Sequence, residues 1–234
     1  MQTVDRTATV AQIVVQHPAA ARVFQKHGID YCCRGNVGVP EASSAHGLDP
    51  EALFTELEAA LPASPVSLED DPRQMTTAAL VARIVDRYHG YLWRTLPYLE
   101  PLVAKVARVH GAKNPKLVEL KAVFERLSAA LIPHLDQEEA VLFPALVSRT
   151  PDRALIASEL ASMHEDHLTV GAMLGEIRSL ADAFTTPEWG CTSYRVLMTE
   201  LEGLEASLLE HVHTENHVLM PRFAAAGAGG VRAA

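Results

Sequence analysis

The sequence predicts an all-α protein, an antiparallel up-down four-helix bundle behind a small N-terminal helical domain. Three observations predict it. Four long stretches after Met75 carry apolar residues alternately four and three apart, the stripe a helix turns toward a bundle core. The second half of that region echoes the first at a spacing of 77 to 78 residues. A segment rich in proline and acid, PASPVSLEDDPRQ, separates the four stretches from what precedes them. These features divide the 234 residues into a helical domain over 1–62, a linker over 63–75 and a bundle over 76–226.

In the first domain VAQIVVQ is a short apolar helix. His17-Pro18 opens a second helix, and Gly28 ends it, as glycine does at a helix C-terminus. IDYCCRGN reads as a loop. Asp49-Pro50-Glu51 is an N-cap followed by proline at the first helical position, and it opens EALFTELEAAL. A unit this short leans on something else for stability.

In the bundle the first stripe runs Val81, Val85, His89, Leu92, Leu96, Leu99, Val103. The second runs Leu120, Phe124, Leu127, Leu131, His134, Glu138, Val141, Ala145. The third is Ile156, Leu160, Met163, His167, Val170, Leu174, Ile177, Ala181, and the fourth Leu197, Leu201, Leu204, Leu208, His211, Glu215, Val218. Bends are expected at Pro97, Pro101, Pro133, Pro144 and Pro221, because proline inside a helix costs about 3 kcal/mol. His134, Glu138, Val141, Leu142 and Pro144 recur 77 residues later as His211, Glu215, Val218, Leu219 and Pro221, and His89 recurs as His167. The repeat suggests two helical hairpins in one pseudo-symmetric bundle.

Each stripe is apolar except near its middle, where six polar residues stand: His89, His134, Glu138, His167, His211 and Glu215. A single buried histidine is more often a hydrogen-bonded core residue than a ligand, and Glu138-Glu139 alone would read as a solvated face. Six such residues on inward stripes, internally repeated, read as a metal site. A lone carboxylate in an apolar core protonates or finds a cation. A histidine and a glutamate four apart share one helix face and reach one centre. Six donors exceed one tetrahedral zinc and suit two iron or manganese ions with bridging carboxylates and terminal imidazoles. The mixed nitrogen and oxygen set with open positions favours iron, while manganese fits the same donors.

Other histidines carry less. His213 and His217 lie off the fourth stripe and read as surface groups or groups behind the ligands. His164 lies three residues before His167 and is a candidate for a hydrogen bond near the site. His110 falls in a loop, and Cys191 reads as incidental. Cys32 and Cys33 are adjacent, which disfavours a structural disulfide; Arg34 beside them favours thiolate, making the pair a candidate for redox or iron-transfer chemistry.

Composition excludes other classes. The net charge of −9 disfavours a nucleic-acid binder. No apolar run approaches the roughly 18 residues of a membrane span. MQTVDRTATV lacks the pattern of a signal peptide, and three cysteines are too few for a disulfide scaffold. The expectation is a cytoplasmic protein.

FQKHGIDYCCRGN together with RYHGYL, HLDQEEAVLFP, MHEDHLTVG and HVHTENHVLMPR resembles the iron–sulfur cluster repair di-iron proteins. These join a double-cysteine N-terminal domain to a hemerythrin-like bundle, and the resemblance covers almost the whole chain. It implies His89, His134, His167 and His211 as terminal ligands and Glu138 and Glu215 as bridges of two non-haem iron ions with an oxo or hydroxo bridge. It maps the double-cysteine loop to Cys32 and Cys33, and it implies a homodimer. The implied role is repair of iron–sulfur proteins damaged by nitric oxide or peroxide, with iron donation as the means. Two other functions remain open: a di-iron enzyme reducing nitric oxide or acting on nitrite or peroxide, and a hemerythrin-like module binding or sensing oxygen. One departure stands out. Some members carry an acid one turn before the second-helix histidine, near a proposed iron exit; here it is Ala130, with Pro133 following, and Asp166 is the candidate to replace it.

Overall fold

A computed structural model describes residues 3–62 and 71–224, so most of the expected linker lies outside the described residues. The fold is all-α; the described residues hold no strand, only an isolated bridge between Thr9 and Gly38. No described helix is long and apolar enough to cross a membrane. The chain forms two compact units, one taking in residues up to Leu80 and those from Leu209 on, the other running from Val81 to Leu208.

The first unit starts with α1 (Val10–Gln16), opened by a capping box in which Thr9 and Gln12 satisfy each other's backbone N–H groups. Then come α2 (Ala20–Lys26), α3 (Val39–Ala45) and α4 (Pro50–Ala60), the last N-capped by Asp49 as the sequence predicts. Gly28 follows α2 at φ 68°, the left-handed conformation that ends a helix. Helix α3 is not predicted by the sequence, because seven residues with three buried positions show no period. Tyr31, Phe24, Ile13 and Leu57 fill the centre of this unit. Arg222, near the C-terminal end, donates to the main-chain oxygens of Met75 and Pro72, both at 2.9 Å.

Long helical stretches follow along the chain. The first is α5 (Thr77–Ile84), a π-helical turn over Val85–His89, and α6 (Gly90–His110). The second is α7 (Lys116–Gln137), a π turn over Glu138–Leu142, and α8 (Phe143–Val147). The third, α9 (Arg153–Leu180), is α-helical throughout and N-capped by Asp152. The fourth is α10 (Thr192–Thr214), a π turn over Glu215–Leu219, and α11 (Pro221–Ala224). In the second unit α6 packs on α7 and α7 on α9. Arg178 of α9 reaches the buried Glu205 of α10 at 2.6 Å.

The π turns correct the predicted stripes in a regular way. The third stripe is buried from Ile156 to Ala181, as predicted. In the first, Val81 and Val85 are only half-buried, and Leu80 and Ile84 take their places. In the second, Leu142 and Leu146 are buried in place of Val141 and Ala145; in the fourth, Leu219 replaces Val218. Each slip of one residue falls at a π turn, because a five-residue step there keeps the histidine or glutamate on the inward row while adding one residue to the register. The backbone bonds show the wider step: Gly90 N–H donates to Val85, Phe143 to Glu138 and Met220 to Glu215.

Pro97, Pro101 and Pro133 sit inside α6 and α7, which continue through them. Pro144 and Pro221 each lie two residues beyond a π turn. Neither proline has an N–H for the carbonyl four residues back, so a widened turn before it relieves a conflict that a regular α-helix would carry.

Candidate metal centre

All six candidate ligands are buried, none more than 6% exposed. The π turns position three of them: His89 ends the first, Glu138 begins the second and Glu215 begins the third.

In the second unit His89, His134, Glu138 and His167 come together. Glu138 Oε2 lies 3.3 Å from His89 Nε2, and Oε1 lies 3.4 Å from His134 Nε2. His134, Glu138 and His167 present donor atoms within 4.8 Å of one another, and the rings of His134 and His167 meet edge-on at 5.1 Å. The far side of two imidazoles is held by acids. His89 Nδ1–H donates to Glu139 Oε1 at 2.9 Å, and His134 Nδ1–H donates to Asp166 Oδ2 at 3.2 Å. Glu139 is fixed in turn by the Trp93 indole N–H at 3.3 Å.

This arrangement tests whether the residues fit a metal. Both Glu138 oxygens are buried and receive no hydrogen bond among the described residues. A carboxylate in that state is very unfavourable. Protons held at Nδ1 leave each Nε2 with a lone pair, so imidazole and carboxylate lone pairs face each other. A cation among them relieves both conflicts, and the carboxylate–histidine pairs are the outer support that metal-bound imidazoles ordinarily have. The donors therefore suit a metal ion with mixed nitrogen and oxygen ligands. A narrow cleft leads to His134 and Glu138 between Gln137, Glu159, Ser162 and Asp166.

In the first unit His211 Nε2 and Glu215 Oε1 lie 3.1 Å apart, both buried. The residues around them contradict a surface reading of His213. It is 5% exposed, its Nδ1–H donates to the Tyr31 carbonyl at 3.1 Å, and its ring lies edge-on to that of Tyr31. Burial, helped by the nearby His217 charge, pushes His213 down to about 4. His217 and Asn216 both donate to the Cys32 carbonyl, at 2.9 and 3.0 Å. The turn carrying Glu215 thus grips the double-cysteine loop.

Cys32 is buried and Cys33 half-buried, and neither is in a disulfide. Arg34 is not what shifts Cys32. The hydrogen bond with Cys33, followed by burial and the Asp30 charge, pushes the Cys32 thiol well above the ordinary thiol range. His164 is half-buried and joins no hydrogen bond of the cluster among the described residues.

Sequence reasoning missed Glu139, whose role depends on a partner 50 residues away. It also missed a second pair. His110 Nε2 lies 3.1 Å from the exposed Cys191 Sγ, at the start of α10 and beside Trp189 and Tyr194. Chiefly through the His110 hydrogen bond, the Cys191 thiol is lowered to about 7.

Two family models match. ScdA_N, a domain of unknown function, matches residues 6–61, and the hemerythrin HHE cation binding domain matches residues 80–223. The iron-sulfur cluster repair protein ScdA of Staphylococcus haemolyticus is 32% identical over 222 residues, 94% of this chain and 99% of that protein. The iron-sulfur cluster repair proteins YtfE of Yersinia pestis (strain Pestoides F) and of Yersinia pseudotuberculosis serotype O:1b are each 33% identical over 221 residues, 93% of this chain and 96% of each relative. With both domain models matched and this identity maintained over nearly the full length, the chain belongs to the iron–sulfur cluster repair family, in which a ScdA_N domain is joined to a hemerythrin HHE domain.

Proposed function

We propose that this protein repairs iron–sulfur clusters damaged by nitrosative or oxidative stress, and that it does so by donating iron from a non-haem di-iron centre. The proposed ligands are His89, His134, His167 and His211, with Glu138 and Glu215 as bridges. The observation that carries the reading is Glu138, whose two oxygens each face a different imidazole, as a carboxylate spanning two ions requires. The repetition of His134 and Glu138 as His211 and Glu215 supports the same role for Glu215. The HHE match over 80–223 takes in all six residues. The relatives' names supply the client class, damaged iron–sulfur proteins.

When bound, the iron pair supplies transferable ferrous iron and two closely spaced redox centres. The chain's own residues decide how firmly it is held. Glu139 and Asp166 keep the proton on Nδ1 of His89 and His134 and aim each Nε2 inward. The cleft between Gln137, Glu159, Ser162 and Asp166 supports a release route on the α7–α9 side. Two acids there attract a departing cation, which makes Asp166 the counterpart of the acid missing at Ala130. Cys32 and Cys33 are the proposed transfer groups of the N-terminal domain, and the sequence resemblance supports a homodimer working in the cytoplasm.

The test is reactivation. Iron-loaded protein, with two irons per chain verified by Mössbauer spectroscopy, is mixed anaerobically with an iron–sulfur dehydratase inactivated by nitric oxide or peroxide. Recovery of the enzyme with matching loss of iron from the donor is the expected result. No recovery while both irons stay bound overturns the reading.

A further inference from the structure

We infer that Asp30, Cys32 and Cys33 form a second metal site, open on one side, that takes one thiophilic divalent cation, with ferrous iron in transit as its cargo. The identity of the cargo rests on the repair reading; the site itself rests on the loop's geometry.

The three donors converge. Cys32 Sγ lies 3.2 Å from Asp30 Oδ1 and 3.3 Å from Cys33 Sγ, and donor atoms of all three lie within 4.8 Å of one another. The backbone holds them there. Asp30 Oδ1 accepts from the main-chain N–H groups of Cys32 and Cys33 at 3.0 and 2.9 Å, leaving Oδ2 available to a cation. On the loop's other side the Tyr31 and Cys32 carbonyls are held by His213, Asn216 and His217. Tyr31 is buried and packs on Phe24. Gly35 closes the loop: a Cβ there would lie 2.6 Å from the Tyr31 oxygen, so only glycine allows the approach. Donors fixed in advance by their surroundings lose little freedom on binding a cation.

The donor types select the ion. Two thiolates and one carboxylate suit Fe²⁺, Zn²⁺ or Co²⁺ in a four-coordinate site and disfavour Mg²⁺, Ca²⁺ and Mn²⁺. Three protein ligands leave the fourth position open, the property of a site that passes an ion on rather than one that locks it in place. Cys33 and Asp30 are half-buried and Cys32 is buried, so the cation arrives from the Cys33 and Asp30 side. Binding forms two metal–sulfur bonds and one metal–oxygen bond. It releases the two thiol protons to water and leaves iron ferrous, so the step needs no oxidant or reductant.

The experiment uses the full chain with its bundle loaded with iron, kept anaerobic and reduced, and titrated with Co²⁺. Wild type binds one additional Co²⁺ per chain by equilibrium dialysis and gains a sulfur-to-cobalt charge-transfer band, which a large excess of Fe²⁺ then lowers. The band is absent in Cys32→Ser and Cys33→Ser and unchanged in Cys191→Ser. Asp30→Asn keeps the acceptor that holds the loop but loses the charge, and binds on the order of tenfold more weakly. The half-buried position of Cys33 keeps that variant informative if Cys32→Ser misfolds. Absence of the band in wild type, its survival in Cys33→Ser, or Asp30→Asn binding as tightly as wild type overturns the inference. Mössbauer iron counts on the same samples report the bundle separately, so failure here is distinguishable from failure of the di-iron reading.

Discussion

Removing the Glu139 carboxylate tests how the centre sets its grip on iron. Glu139 reaches the proposed inner donors through His89, whose Nδ1–H it accepts at 2.9 Å. Its side chain is 37% exposed and anchored by Trp93. Loss of such an outer partner typically lowers metal affinity about 10- to 100-fold, or about 1.4–2.7 kcal/mol. Asp166 makes the weaker version of the same contact to His134, at 3.2 Å with the side chain 53% exposed. Solvent screens it, so Asp166→Ala should cost about 0.2–1 kcal/mol, at most roughly fivefold. The assay is anaerobic transfer of Fe²⁺ from the loaded protein to a strong ferrous chelator, followed by the colour of the chelate. Glu139→Ala should release iron at least about tenfold faster than wild type, with Glu139→Gln between them because its amide oxygen still accepts the Nδ1 proton. Iron leaving Glu139→Ala no faster than wild type, or Asp166→Ala releasing it faster than Glu139→Ala, refutes the reasoning.

Other consequences are independent of iron. The Cys191 thiol is lowered to about 7 chiefly by His110, and the thiolate is the form present above that pH. Alkylation of Cys191 should therefore rise through a midpoint near pH 7 and plateau above it; His110→Ala should move the midpoint up toward the ordinary cysteine value of about 8.5, as followed by mass spectrometry. Arg178→Ala removes the 2.6 Å partner of the buried Glu205 and should destabilise the chain by about 3 kcal/mol in urea melts, while Arg178→Met with Glu205→Leu should recover most of the loss. Gly35→Ala drives a methyl group against the Tyr31 carbonyl and to 2.8 Å from the Ala11 Cβ. It should cost about 1–3 kcal/mol and raise hydrogen exchange in the loop around Cys32.

The burial of six polar positions was legible because polar residues on apolar stripes are conspicuous wherever helical period is regular, and the structure buries His89, His134, Glu138, His167, His211 and Glu215. The third stripe was read without error because α9 is α-helical from end to end. The other three went wrong by one residue where the backbone changes its hydrogen-bond step, at Val85–His89, Glu138–Leu142 and Glu215–Leu219. Helical period assumes a constant rise and twist, so it cannot register a single widened turn. That turn keeps a polar side chain pointing inward, and in the second and fourth stretches Pro144 and Pro221, two residues on, favour it as well.

By itself the sequence determined the all-α class, the repeat of His134 and Glu138 at His211 and Glu215, and the double-cysteine loop, because these depend on residue type and spacing along one chain. Tertiary structure alone decided that Glu139 holds His89, that His213, Asn216 and His217 grip the Tyr31–Cys32 backbone, and that His110 faces Cys191. Those pairs are 50 to 185 residues apart. A hydrogen bond requires two groups to meet within about 3 Å, and only the folded backbone sets which distant groups do.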